Sequence, residues 1–193
     1  MPSQTRERLT EAAAKRFYRD GFRNVGLDQV LADVGISKTA FYKHFSCKED
    51  LVLAALDMKN HWLQSTFREM VCAHGGPTPL GQLRALLDVV GRIIDVDDFH
   101  GCIFVNVAME YPLPHDPAHV AAARHKQAIE EFVRDMAARA GAADPGQMAR
   151  ELCLIIEGVY VTRQVTGDKR SIEIARRLAD LVIGAHLAVT TDE

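Results

Sequence analysis

An all-α fold is predicted for this chain from three features of its sequence. Apolar residues recur at helical spacing along most of its 193 residues, and no stretch alternates long enough to suggest a β-strand. Near the N-terminus, two short segments with this spacing flank a single glycine, as in a helix-turn-helix. We therefore predict a three-helix head over residues 1–48 and a helical body over residues 49–193. Hydrophobic residues make up 48% of the chain, which suffices for a substantial core.

The head is predicted to contain three helices. The first covers residues 5–18, where apolar residues recur every third or fourth position. The second covers residues 28–34 and should end at Gly35, because glycine adopts the left-handed conformation at a helix C-terminus without steric cost. Ser37 is a suitable N-cap for the third helix, over residues 38–44.

The body is predicted to begin with a long connecting helix that is apolar on two faces and so packs on two sides. The run GGPTP then marks the clearest break in the chain. Proline is tolerated at the first position of a helix but not in its interior, so the prolines mark where the later helices can begin and end. The predicted ranges are 48–74, 80–95, a short apolar helix within 97–117, 117–140, 147–165 and 171–189.

The third helix of the head carries a face rich in hydrogen-bond donors, formed by Lys38, Thr39, Tyr42, Lys43 and His44. A helix-turn-helix with such a face is suited to the major groove of DNA. The first 48 residues hold 9 Lys and Arg against 5 Asp and Glu, a net charge of +4, whereas the remainder holds 14 against 21, a net charge of −7. A basic head favours DNA because phosphate neutralisation supplies much of the affinity. The sequence therefore predicts a regulator that binds double-stranded DNA.

The same region resembles the N-terminal domain of the tetracycline-repressor (TetR) family. The resemblance covers about the first 55 residues and lies in the run FYKHFSCKEDL, preceded by DQVLADVGISKTA and FYRDGFRNVGL. Its most recognisable pattern is Tyr42, Phe45 and Lys48. One departure is Gly26, where the family usually has Ser or Thr; glycine still caps a helix, but a hydroxyl contact to phosphate is absent. The resemblance implies a ligand-binding body and supports a role as a repressor.

Eight residues form the predicted DNA-binding site. Tyr42 and Lys48 are expected to contact phosphate, and a lysine at a helix N-terminus calls for an electronegative partner because it opposes the helix dipole. Lys38, Thr39 and Lys43 are candidates for contacts with base edges. The full predicted set is Gln29, Ser37, Lys38, Thr39, Tyr42, Lys43, His44 and Lys48.

A ligand site is predicted in the body, where aromatic and polar residues surround the short helix. Glu157 stands among apolar residues and needs a partner, which Arg163 or a ligand amine can supply. Each residue of the set has an alternative role as ordinary core. The predicted lining is Trp62, Phe67, Phe99, Phe104, Met109, Tyr111, Cys153, Glu157 and Tyr160. We expect a small, largely apolar effector whose binding releases a repressor from its operator.

The last two predicted helices mix small and branched apolar residues, which allows close helix packing. We expect them to meet their symmetry mates in a four-helix bundle, giving a homodimer that binds a pseudo-palindromic operator. The alternative is that both helices only complete the core of one protomer.

The motifs of common enzyme classes are absent from the sequence, so no catalytic activity and no cofactor are predicted. His115, His119 and His125 have a spacing that invites a metal, but Pro117 intervenes and no Cys or Glu completes a set. No metal site is therefore predicted.

The four cysteines are widely spaced and form no paired motif. With no leader-like segment and no apolar run of membrane-spanning length, they indicate a cytoplasmic protein without membrane contact. Cys47 precedes Lys48 at a helix N-terminus, a position that favours the reactive thiolate. A redox-sensing regulator is therefore one alternative function, and a non-sensing architectural DNA-binding protein is another.

Overall fold

A computed structural model describes residues 4–187 of the chain, and every regular element in that range is helical. The predicted all-α fold, with an N-terminal helix-turn-helix and a helical body, is confirmed. Along residues 4–187 the elements are α1 (Gln4–Asp20), α2 (Leu27–Val34), α3 (Lys38–Phe41), α4 (Lys48–Trp62), a π-helical turn (Leu63–Phe67), α5 (Arg68–Gly75), α6 (Pro79–Ile94), α7 (Ile103–Glu110), α8 (Pro117–Arg139), α9 (Pro145–Thr166) and α10 (Ser171–Leu187).

The helix ends follow local capping signals. Gly35 lies in the left-handed region at φ 72° and donates its N–H to the carbonyl of Leu31 at 2.9 Å, which ends α2. Ser37 Oγ accepts the N–H of Ala40 at 3.2 Å and caps α3. Both capping predictions are therefore confirmed. The predicted end of the last helix, Val189, lies outside the described residues.

The second helix of the motif is shorter than the predicted range 38–44, because α3 ends at Phe41. Beyond it the chain tightens: the N–H groups of Lys43 and His44 donate to carbonyls three residues back, at 3.3 and 2.8 Å. Such bonds satisfy carbonyls that a helix end would otherwise leave unpaired. Residues 42–44 therefore still belong to a helical turn.

The chain is helical throughout the predicted range 48–74, but the helix contains a π-helical turn that the sequence analysis did not predict. α4 ends at Trp62, and the π-helical turn separates it from α5. A π-turn holds one residue more than an α-turn, so the apolar positions after it are shifted by one residue relative to those before it. Trp62, which the sequence places on an apolar stripe, is 51% exposed. The prediction of unbroken apolar stripes through this region missed this shift.

The described chain forms two compact units. The first contains residues 4–62 and 102–125, and the second contains residues 63–101 and 126–187. The first unit thus includes α4, α7 and the start of α8 besides the three helices of the head. The predicted division at residue 48 concerns function and stays a prediction.

Each unit has its own core. In the first, α1 packs on α2 and α4, and the fully buried side chains include Phe17, Phe22, Phe41 and Leu51. In the second, α10 packs on α6 and α9, and α5 packs on α6, around one contiguous cluster of buried side chains. No helix among residues 4–187 is long and apolar enough to span a membrane.

The backbones of α5 and α6 approach closely where the chain reverses between them. A Cβ atom on Gly75 would lie 2.5 Å from the Cα of Gln82 and 2.6 Å from the carbonyl carbon of Gly81. The Gln82 amide group donates to the carbonyl of Gly76 at 3.0 Å, across the same reversal. The close approach therefore leaves no room for a side chain at Gly75.

Candidate DNA-binding and sensory sites

Residues of α1 hold the C-terminal end of α2. The Arg16 guanidinium donates to both carboxylate oxygens of Asp33, one of them at 2.7 Å, and Arg8 donates to the carbonyl of Val34 at 2.8 Å. The hydrogen bonds from Arg16 hold the pKa of the Asp33 carboxyl below its usual range. These contacts fix the point at which α2 turns toward α3.

The predicted base-reading face is accessible. Thr39 and Lys43 are exposed, Tyr42 is 59% exposed and His44 is half-buried. Tyr42, Lys43 and His44 line one surface cleft of about 550 Å³ together with Arg6 of α1. The structure therefore brings these three predicted residues to a single surface beside α3.

Two other predicted DNA contacts are engaged within the head. The Gln29 side-chain oxygen accepts the N–H of Gly26 at 2.8 Å, so Gln29 helps to cap α2. The Lys38 ammonium pairs with Asp28 at 2.9 Å, and this hydrogen bond raises the pKa of Lys38. Both pairs are exposed, so their DNA-binding roles stay predictions.

Lys48 has a partner that the sequence did not suggest. Its Nζ donates to the carbonyl of Phe22 at 2.6 Å and lies 5.8 Å from the centre of the Phe17 ring. A lysine at the start of α4 was expected to need a phosphate, but a backbone carbonyl meets part of that need. Because an ammonium has three donors, the predicted phosphate contact stays compatible with this geometry.

Substitution of Lys48 by methionine, with Lys43→Met for comparison, should separate the role of Lys48 in the fold from its role in DNA binding. Each lost phosphate contact should lower the slope of log affinity against log salt by about 0.9. Lys48→Met should also lower the free energy of unfolding by about 1–2 kcal/mol, because the Phe22 carbonyl loses a charged donor. Lys43→Met, at an exposed position, should leave stability unchanged. Salt-titrated fluorescence anisotropy and thermal unfolding measure the two effects; an unchanged slope for Lys48→Met would refute its phosphate contact.

Sequence reasoning missed Glu110, the last residue of α7. Its carboxylate accepts the backbone N–H of Phe22 at 2.9 Å and that of Arg23 at 2.6 Å. These partners are 88 and 87 residues away along the chain, and no local pattern marks the contact.

The predicted ligand residues are divided between the two units. In the first unit, Phe104 is buried and its ring stacks on His125 at 3.7 Å, whereas Trp62 and Met109 are exposed. Tyr111 is half-buried, with the Arg23 guanidinium 5.3 Å from its ring centre. Its burial, assisted by nearby carboxylates, raises the pKa of Tyr111.

In the second unit, Phe67 and Phe99 are buried, and Phe99 lies 5.6 Å from Tyr160 between ring centres. Phe67 meets Phe132 edge to face at 6.3 Å. Three surface clefts among the described residues, of about 400, 450 and 550 Å³, are lined by other side chains than the nine predicted ones. The ligand-binding roles therefore stay predictions.

The Glu157 carboxylate already has a partner in the protein, and that partner is not Arg163. Glu157 forms an ion pair with Lys126 of α8. Arg163 instead donates to the carbonyl of Ile94 at 3.1 Å, and its guanidinium lies 5.6 Å from the centre of the Phe99 ring. The expectation for Arg163 is wrong because Lys126 on the preceding helix, α8, supplies the cation, not a neighbour on α9.

The cysteines differ in accessibility: Cys72 is exposed, whereas Cys47, Cys102 and Cys153 are half-buried. Burial, with the nearby Glu130 and Glu157 carboxylates, raises the pKa of the Cys153 thiol to about 11. At pH 8 the Cys153 thiol is then almost entirely protonated. Cys72 should therefore react first with a maleimide and Cys153 far more slowly, as mass spectrometry of timed samples would show. Labelling of Cys153 at the rate of Cys72 would contradict this burial.

The histidines considered for a metal site have separate partners. His119 Nδ1 lies 2.9 Å from the carbonyl oxygen of Tyr111, and His125 Nδ1 lies 2.8 Å from Oδ1 of Asn60. Within residues 4–187, no group of three or more His, Cys, Asp or Glu side chains is arranged to hold a metal ion.

Each of the last two helices carries exposed apolar residues at helical spacing. Leu152, Ile156 and Val159 of α9 lie in the core of the second unit. A different set is exposed on the same helices: Leu154, Val161, Val165, Ile174, Leu178 and Leu181. The sequence did carry a signal for this surface, because α9 and α10 hold more apolar residues than the inner face of each helix needs.

A basic helix-turn-helix head with an accessible donor face, carried on a helical body, defines a DNA-binding transcriptional regulator. The family model described as "Bacterial regulatory proteins, tetR family" matches residues 9–55, and the "Tetracyclin repressor-like, C-terminal domain" matches residues 79–179. The chain belongs to the tetR family of bacterial regulatory proteins. The predicted family membership is thereby confirmed, and its members are regulators rather than enzymes.

Individual proteins agree with this family over nearly the whole chain. The HTH-type transcriptional regulator YjdC of Escherichia coli K12 is 22% identical over 178 residues, covering 92% of this chain and 93% of that protein. The crystal structure of SCO4454, a TetR-family regulator from Streptomyces coelicolor, has 29% identity and a TM-score of 0.86, covering 95% of this chain and 96% of that chain. A TetR regulator from Chloroflexus aurantiacus shares the fold at 24% identity and a TM-score of 0.77, with 93% and 94% covered.

Proposed function

We propose that this regulator is a homodimeric repressor that binds a pseudo-palindromic operator and is released by a small, largely apolar molecule. It acts in the cytoplasm, where its operator is accessible. DNA binding follows from the family; the dimer, the repression and the effector are the proposal.

The exposed apolar face of α9 and α10 is the observation that carries the dimer. On α9, Leu154, Val161 and Val165 recur at helical spacing, and Leu154 and Val165 are 74% and 77% exposed. On α10, Leu178 and Leu181 continue the same kind of surface. An antiparallel helix pair with one apolar face inside and another outside is typical of a bundle shared by two protomers.

A dimer provides more DNA contacts than a single head. A single head offers only the few exposed side chains around α3, too few for a specific site. In a two-fold dimer the two recognition segments can enter successive major grooves, about 34–36 Å apart or somewhat more. This arrangement supports a pseudo-palindromic operator.

The aromatic side chains of the second unit support an apolar effector. Phe99 and Tyr160 are in ring contact, and the Lys126–Glu157 ion pair nearby on α8 and α9 provides polar groups that can orient a ligand. An effector that binds the DNA-incompetent arrangement better by about 3 kcal/mol would lower operator affinity by about 150-fold.

The proposal is tested with the full chain in three steps. Sedimentation velocity at micromolar concentration should show a dimer, and footprinting on a duplex selected from a random library should show two protected half-sites. A panel of apolar compounds should include members that release this duplex in fluorescence anisotropy. A monomer, uniform coating of any DNA, or release only by oxidants that Cys47→Ser abolishes would each overturn the corresponding part.

A further inference from the structure

Two oppositely charged side chains from outside the helix-turn-helix hold the turn between α1 and α2. On one side, the Glu110 carboxylate at the end of α7 accepts the N–H groups of Phe22 and Arg23, at 2.9 and 2.6 Å. On the other, the Lys48 ammonium donates to the Phe22 carbonyl at 2.6 Å. Both peptide groups of Phe22 are therefore bound to charged groups.

Packing around this turn favours a single arrangement. The Phe22 ring is fully buried and stacks on Phe17 at 5.2 Å. A Cβ atom on Gly21 would lie 3.3 Å from a carboxylate oxygen of Glu110, so the backbone approaches the carboxylate directly. The Arg23 guanidinium lies 5.3 Å from the ring centre of Tyr111, the residue after Glu110.

The turn determines where the DNA-binding helices begin. From Arg23 the chain reaches Gly26, the N-cap of α2, within three residues, and Val25 between them is buried. Any displacement of the Phe22–Arg23 backbone therefore moves the start of α2 and, through α2, the segment at α3. Hydrogen bonds to charged groups are stronger than neutral ones, so two of them on adjacent amides are an effective restraint.

We propose that Glu110 is a positioning residue for operator binding: from α7 it holds the α1–α2 turn in the arrangement that fits DNA. The Glu110 carboxylate therefore connects α7, the helix that also carries Phe104 and Met109, to the α1–α2 turn. This role concerns DNA binding, which the family establishes, and does not depend on the effector.

The direction of the change in DNA affinity on replacing Glu110 distinguishes a positioning role from simple electrostatic repulsion. Glu110 is an acid in the unit that binds a polyanion, so removal of its charge alone should strengthen binding to every DNA sequence. Loss of positioning should instead weaken binding to the specific site, because more arrangements of the turn become populated and fewer fit the duplex.

The experiment compares the wild type with Glu110→Ala and Glu110→Gln by fluorescence anisotropy, on a duplex selected from a random library by the wild-type protein and on a scrambled duplex. Glu110→Ala should bind the selected duplex about tenfold more weakly, equivalent to the loss of one charge-assisted hydrogen bond. Glu110→Gln keeps one acceptor oxygen and should lose less. Affinity for the scrambled duplex should stay unchanged or rise.

Glu131→Gln is the matched control, since it removes the same charge from an exposed position on α8. Amide hydrogen exchange at Phe22 and Arg23 should accelerate in Glu110→Gln and not in the control, at unchanged overall helicity. If Glu110→Ala fails to fold, Glu110→Gln supplies both readouts. Unchanged affinity of the Glu110 variants for the selected duplex, equal losses on both duplexes, or unchanged exchange at the two amides would overturn the proposal.

Discussion

Replacement of Leu181 by glutamate is expected to convert the proposed dimer to monomers and to lower operator affinity by about 100-fold or more. Leu181 is 65% exposed on α10, on the face shared with Leu178. In a four-helix bundle a carboxylate there would be buried without a partner, which strongly disfavours association. Loss of the dimer removes the linkage of two half-site contacts, whose effective concentration accounts for the affinity loss. Sedimentation velocity and anisotropy on the selected duplex measure the two effects.

Val96→Glu provides the control for this experiment. Val96 is also an exposed apolar residue, at 53%, but it lies in the loop after α6 rather than on α9 or α10. It introduces the same charge and should leave both the dimer and operator affinity unchanged. A Leu181→Glu protein that stays dimeric and binds its operator normally would place the dimer contact elsewhere.

Replacement of Gly75 by alanine is expected to destabilise the second unit by about 3 kcal/mol. The added Cβ would lie 2.5 and 2.6 Å from the Cα and N of Gln82, both backbone atoms that cannot rotate away. The reversal between α5 and α6 would have to open, and the bond from Gln82 to the Gly76 carbonyl would be lost with it. Chemical denaturation of the variant gives the free energy of unfolding directly.

Gly146→Ala is a suitable control because it also adds one methyl group near a helix end. Its Cβ would lie 3.4 Å from a carboxylate oxygen of Asp144, an ordinary contact distance. Alanine is a better helix former than glycine, so stability should be unchanged or slightly higher. Equal effects of the two substitutions would show that the α5–α6 reversal has more room than the structure indicates.

Features governed by near neighbours in the chain could be predicted from the sequence. Gly35 and Ser37 define the motif because helix capping depends on a few adjacent residues, and both caps are present. The all-α class followed from helical periodicity for the same reason. The exposed donors Thr39, Tyr42 and Lys43 were identifiable because a short helix packed through Phe41 leaves its other face to solvent.

Contacts between distant residues could not be predicted in this way. Glu110 binds the amides of Phe22 and Arg23, and Lys126 pairs with Glu157, because folding brings these groups together and not because of any repeated spacing. The distinction between inner and outer faces of α9 and α10 was missed for a related reason. Both faces carry apolar residues, so periodicity alone does not show that Leu152 is core while Leu154 is exposed.

The π-helical turn at Leu63–Phe67 has a consequence for how this chain tolerates changes in length. Removal of one residue inside α4 would rotate every following side chain of that helix by about 100°. Removal of one residue inside the π-turn would instead restore ordinary α-helical bonding and leave the faces of α4 and α5 in place. A single-codon deletion there would convert the π-helical turn to α-helix, detectable as a gain in helical circular dichroism without loss of stability. Deletion of one residue is therefore expected to be tolerated at this turn better than elsewhere in α4.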